Sequence, residues 1–232
     1  MTSHQMTYKE VLSKTRADEN RSIFSSLPIY ILVENQPRHD CPEYVEMACL
    51  RQNGVEGIMC YLSLVDAMID LQGRNKAGRF YEIRPLEAID PQIFLDQHKG
   101  WLTVFLVYGF AAEHGKVWGD EGGQPVPFGK MLHFQLGTDN EAKQFTLEFG
   151  GELAQWLARL HERAEIYDHA DTHCDLEQMS HDELDRCAKE AVRRMPQAPR
   201  GTGAVLQCAL YDPLEQEWRF VAVTNASNHL AA

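Results

Sequence analysis

A chain of 232 residues, 44% apolar and 24% charged, is long enough to bury a core without disulfides or metals and has an ordinary globular composition. No stretch reaches the roughly 20 consecutive apolar residues of a membrane helix, and the polar, mixed-charge start has no apolar signal core, so a cytoplasmic location is expected. The net charge of −12 repels the phosphates of nucleic acids and of anionic membranes; it suits plain solubility, or a basic protein partner of complementary potential.

Residues 1–26 read as a polar lead-in with a short helix around 7–20. "LPIYILVEN" (27–35) is β-branched and aromatic, and is expected to be a strand. "YVEMACLRQ" (44–52) and "VEGIMCYLS" (55–63) flank Asn53-Gly54, a strong turn signal, and are expected to pair as a hairpin. The period then changes: Leu64, Ala67, Met68 and Leu71 share one helical face, which predicts a helix over 64–72. "RFYEIRPL" (79–86) is another strand, and "IDPQIFLDQHKG" reads as a short helix with Asp90 as N-cap and Pro91 at its first position. "WLTVFLVYGF" (101–110) is the most apolar run and is expected at the centre of the sheet. "AAEHGKVWGDEGGQPVPFGK" (111–130) reads mostly as loop, and "MLHFQLG" (131–137) as a strand antiparallel to the central one.

A capping box at Thr138 and Glu141 predicts a long helix carrying Phe145, Phe149, Leu153, Trp156, Leu157 and Leu160, interrupted by Gly150-Gly151. A second box at Ser180 and Glu183 opens a helix whose apolar face is Leu184, Cys187, Ala188, Ala191, Val192 and Met195, and which Pro196 ends. "PQAPRGTG" reads as a linker, and 204–212 with 217–225 as a terminal hairpin across "PLEQ". Strands come first, then helices, then a hairpin. The expected fold is a single α+β domain with a mixed, mostly antiparallel sheet packed against helices: strand-rich over 27–137, helical over 138–195, with the hairpin at 204–225.

The candidate chemistry concentrates in "YDHADTHCDLEQMSHDEL" (167–184). His169, Asp171 and His173 stand at i, i+2 and i+4, so on a strand all three face one way and form a compact metal site, completed by Cys174 or His181. The turn-forming composition favours an acidic connector between two helices instead. From His161 to Glu190 there are ten acidic and three basic residues, a local charge of −7. Such a concentration is self-repelling, and a partner with clustered Lys and Arg relieves it. The glycine-rich stretch 119–129 adds Asp120 and Glu121; Trp118 and Phe128 flank it, and are partner anchors if exposed or core if buried. The six cysteines contain no C-x-x-C pair, and Cys60 and Cys208 read as small buried hydrophobes. Neither a nucleophile elbow nor a phosphate-binding glycine loop occurs.

"PIYILVE", "GVEGIMCYLSLVDAMIDL" and "YEIRPLEAIDPQIFL" resemble, in their order of strand, strand and alanine-containing helix, the opening of bacterial SseB-like proteins over about residues 28–110. The chain departs from them by inserting "NQPRHDCPEYVEMACLRQN". It is also similar in style to small acidic immunity proteins encoded beside secreted bacterial toxins. Both groups are binding proteins without a catalytic site, and the resemblance assigns no particular residue.

The expected function is that of a non-catalytic, cytoplasmic binding protein, most concretely an immunity protein that occludes the basic active site of a cognate toxin or effector. Its contacts are Asp168, Asp171, Asp175, Glu177, Asp182 and Glu183, with Trp118, Asp120 and Glu121 from the glycine-rich loop. No cofactor, nucleic acid or membrane partner is expected. Two alternatives stand beside it: a metal-dependent hydrolase using His169, Asp171 and His173, and a secretion-system accessory or scaffold protein.

Overall fold

Strand β6 (Trp101–Glu113) organises the molecule, and its long apolar run is buried on both faces. A computed structural model of the chain describes residues 22–34, 46–52, 54–76, 80–88, 100–135, 144–149, 151–166, 169–201 and 203–223, without the side chains of residues 22, 24, 76, 144, 145 and 169–173. Along one edge of β6 run β4 (Val55–Tyr61), parallel, and then β11 (Gln207–Asp212), antiparallel. Along the other run β8 (Pro127–Gln135) and β7 (Lys116–Gly119), both antiparallel. Beyond β4 lie β3 (Cys49–Gln52), β2 (Tyr30–Glu34) and β5 (Tyr81–Pro85). β12 (Glu217–Ala222) pairs with β11, and β10 (Gln197–Pro199) lies parallel to β7. The sheet is thus mixed and mostly antiparallel, in a single α+β domain.

Helices α1 (Leu64–Lys76), α3 (His169–Gln178) and α4 (His181–Arg194) cover one face, contributing Met68, Leu176 and Ala188 to a core with Tyr30, Met59, Tyr61, Phe105 and Val107. The other face is covered by α2 (Gly151–Arg163) and by a separate parallel pair, β1 (Ser22–Ser25) with β9 (Gln144–Leu147). There Ile23, Leu147, Leu157 and Leu160 pack on Ile31, Cys60, Val104 and Leu106. Neighbouring residues of β4 and β6 alternate between the two cores, as the pleat requires.

The alternation of β6 changes phase at one point. Phe105 and Val107 face the α1 core, but so do Phe110 and Ala112. A register shift between Val107 and Phe110 inserts one extra residue there, a β-bulge, and Gly109 sits in it at φ 149°. A Cβ on Gly109 would lie 2.6 Å from Cys208 Sγ and 2.8 Å from the Ala209 carbonyl oxygen. Only glycine lets β11 approach β6 this closely.

Several expectations need correction. The lead-in 1–26 contains β1; the helix expected over 7–20 and the one over 89–100 fall on residues outside the description, except for Gly100. Residues 111–130 are mostly strand: β6 runs on to Glu113, and His114 and Gly115, at φ 51° and 69°, make the two-residue turn into β7. The long helix from Thr138 is not formed as expected, because 144–147 is strand β9 and helix begins only at Gly151. The aromatic and β-branched "QFTL" suits pairing with β1. Part of the linker, Gln197–Pro199, is β10. The hairpins 49–61 and 207–222 and the capped helix α4 stand as expected, with Ser180 accepting from the Glu183 N–H.

Three carboxyls are buried, Asp66, Asp70 and Asp212. Asp70 Oδ2 accepts from the Tyr61 hydroxyl and from Arg74 Nε, each at 2.5 Å, so α1 carries its own ion pair into the core. Asp212 Oδ1 accepts from the N–H groups of Leu214 and Glu215 and shapes the β11–β12 turn. Asp66 lies in the first turn of α1, and burial lifts its carboxyl to about 7. The described cysteines, Cys49, Cys60, Cys174, Cys187 and Cys208, are free thiols, and Cys60 and Cys208 are core residues.

Candidate partner-binding surface

The acidic stretch does not form the expected connector. Residues 169–178 are helix α3, docked by Leu176, which is buried against the core beneath α1 and α4. Burial of this leucine outweighs the turn propensity of its neighbours. Glu177 is half-buried and accepts from the Tyr30 hydroxyl at 3.2 Å, while Asp175 is exposed. Asp168 lies outside the described residues. His169, Asp171 and His173 belong to α3 by backbone, and their side chains lie outside the description. The strand geometry that would align all three on one face is therefore not the one present: on a helix, positions i and i+2 diverge. Among the described residues, no group of three or more His, Cys, Asp and Glu is placed to hold a metal ion.

Helix α4 carries Asp182 and Glu183, both exposed, in its first turn, where the positive end of the helix favours them. Glu183 Oε2 accepts from the Ser180 N–H at 2.8 Å, and these capping contacts hold its carboxyl below the usual range. Further along, the acidic character ends. Asp185 accepts from Lys189 at 2.6 Å. Partial burial pushes the Asp185 carboxyl up, and the bonds from Lys189 and Gln72 more than reverse this. Glu190 accepts from Arg193 and Arg194, which bring its pKa down to about 2. A charge count that stops at Glu190 misses these two arginines; α4 as a whole holds four acids and four bases.

The glycine-rich stretch is a hydrogen-bonded turn. Asp120 Oδ1 accepts from the N–H groups of Gly122 and Gln124, both at 2.8 Å, and Gln197 Nε2 donates to the Gly123 carbonyl at 2.7 Å. Asp120 and Glu121 are exposed on it. Trp118 is only 4% exposed and belongs to the core with Phe128, so it is not a partner anchor. The sequence offered no sign that β7 would be tucked between β6 and β10.

The tertiary structure relates these two acidic surfaces through α1. Gln124 packs on Gly73, where a Cβ would lie 3.0 Å from its Cγ, and Gln72 Nε2 donates to Asp185 Oδ1 at 2.8 Å. The β7–β8 turn and α4 thus rest on successive residues of one helix. No helix among the described residues is long and apolar enough to cross a membrane. Comparison with protein-family models, with curated proteins and with solved structures returned no match to this chain.

Proposed function

We propose that this chain is a non-catalytic binding protein, an immunity protein that neutralises a bacterial toxin by laying an acidic surface over the toxin's basic active-site cleft. The observation that carries the reading is the joint support of two acidic surfaces by α1: Asp120 and Glu121 on a hydrogen-bonded turn, and Asp175, Asp182 and Glu183 on α3 and the first turn of α4. Carboxylates fixed on folded elements lose little freedom on meeting a cationic surface, which is the economy of a preorganised interface. The chain's net charge of −12 speeds encounter with a basic partner and rejects acidic ones. The mechanism is steric and electrostatic occlusion, without turnover.

The test is co-expression with the products of adjacent genes. A stoichiometric complex with a basic enzyme, inhibited in the complex and released by salt, supports the proposal. An adjacent-gene enzyme that binds at the opposite sheet face, or a complex indifferent to salt, argues against it.

A further inference from the structure

We propose that the outer edge of β8 is a pairing site for a second copy of this chain, joined antiparallel so that two sheets become one. The proposal lies apart from the acidic surface above and does not rest on it.

β8 pairs with β6 along one edge in an unbroken register, from Val107 opposite Gly129 to Trp101 opposite Gln135. Along its other edge no strand pairs with it among the described residues. An open edge of this kind presents a row of backbone N–H and C=O groups, a template for another extended chain. The remaining open edges among the described strands are poorer templates. β1, β3, β5, β9, β10 and β12 have six residues or fewer. β5 also carries Glu82 and Arg84, β12 carries Glu217 and Arg219, and β10 ends on Pro199. Charged side chains, proline and shortness all discourage edge pairing. β8 is nine residues long, and its one proline stands at the first position. The stretch from Gly129 to Gln135 has no bulge to turn the edge away.

Charge selects the occupant. Two copies that each carry −12 repel, and they meet at least cost where carboxylates are absent. β8 holds one lysine, one histidine and no carboxylate. Its side chains also suit self-pairing. Leu132 and Phe134 pack toward the α2 core and Met131 toward the α1 core, so the strand alternates cleanly. Paired residues of two antiparallel strands share a face, so a two-fold axis must pass through one residue. An axis at Lys130 sets two ammonium groups face to face, which is unfavourable. An axis at Leu132 sets Lys130 of one copy opposite Phe134 of the other, Met131 opposite His133, and Gly129 opposite Gln135. No like charges are then directly opposed, and the isologous contact closes at two copies.

The test is sedimentation equilibrium of the full chain over about 1–500 µM, with amide hydrogen exchange at both ends of that range. The expected result is a monomer–dimer equilibrium with a Kd of about 10 µM, tightening as salt screens the repulsion between two acidic copies. That salt response is opposite to the release expected of a basic partner. Amides of β8 gain protection in the dimer, and those of β12 do not. Lys130→Glu places a carboxylate from each copy at the seam and weakens the dimer at least about tenfold. Lys116→Glu, the same charge change on the exposed start of β7, alters the Kd less than about threefold. If Lys130→Glu does not fold, the protection pattern of the parent chain decides. A monomer throughout the range, assembly beyond two copies, a dimer that salt dissociates, protection gained at another edge, or equal loss in the two variants overturns the proposal.

Discussion

Gln72 on α1 and Asp185 on α4 meet at 2.8 Å, the amide Nε2 donating to the carboxylate Oδ1. The bond ties α4 to α1 near the acidic first turn that carries Asp182 and Glu183, beside the apolar contact of the two helices. Gln72→Ala is expected to lower stability by about 1 kcal/mol, because Asp185 is half-buried and keeps Lys189 as a partner. Urea denaturation measures the loss; a change below the error of the midpoint would show that apolar packing between the helices sets the angle by itself.

The acidic surface and the core tryptophan make opposite predictions. Neutralising exposed carboxylates with Glu121→Gln, Asp175→Asn and Asp182→Asn together should leave the melting temperature nearly unchanged, slow association with a basic partner and flatten its salt dependence. Trp118→Ala should cost about 3–5 kcal/mol of stability, because the indole is buried in the core with Phe128. Stopped-flow association and thermal melts of both variants separate the two roles. Loss of partner affinity in Trp118→Phe with stability intact would return that residue to the interface.

Burial holds the Asp66 carboxyl near 7, well above the unfolded value of about 3.9. The folded state therefore binds the proton more tightly than the unfolded one. Its contribution is fully present below about pH 4, falls as pH rises through the window, and levels off above about pH 7. Asp66→Asn should flatten the stability profile between those limits and be more stable than the parent above neutrality. Urea midpoints across about pH 4 to 8 check the sign; a parent profile that rises through this window contradicts a buried, protonated Asp66.

Gly109 is expected to be nearly irreplaceable. Its φ of 149° strains any L side chain, and a Cβ would press on Cys208 Sγ and on the Ala209 carbonyl. Gly109→Ala should cost about 2–4 kcal/mol, combining backbone strain with overpacking. The comparison is Gly115→Ala, whose φ of 69° is also positive but whose Cβ meets nothing within 4 Å. It should cost only about 1 kcal/mol, from backbone strain with no clash.

The fold class, the central place of β6, both hairpins and the capped helix α4 were legible in the sequence, because each rests on local chemistry. Alternating apolar residues choose a face, Asn53-Gly54 chooses a turn, and Ser180 with Glu183 satisfies the N–H groups that a helix start leaves open. Non-local contacts decided the rest. "QFTL" over 144–147 became a strand because β1 was there to pair with it, and residues 169–178 became a helix because Leu176 had a core to enter. Trp118 was settled as core by β10 lying alongside β7. The pairing of Glu190 with Arg193 and Arg194, three and four residues on along α4, is local by contrast and follows once that helix forms. Composition could place negative charge in a stretch of chain. Only the packing of distant segments determined which carboxylates accept across the fold, as Glu177 does from Tyr30 and Asp185 from Gln72, since those contacts depend on what lies opposite in space.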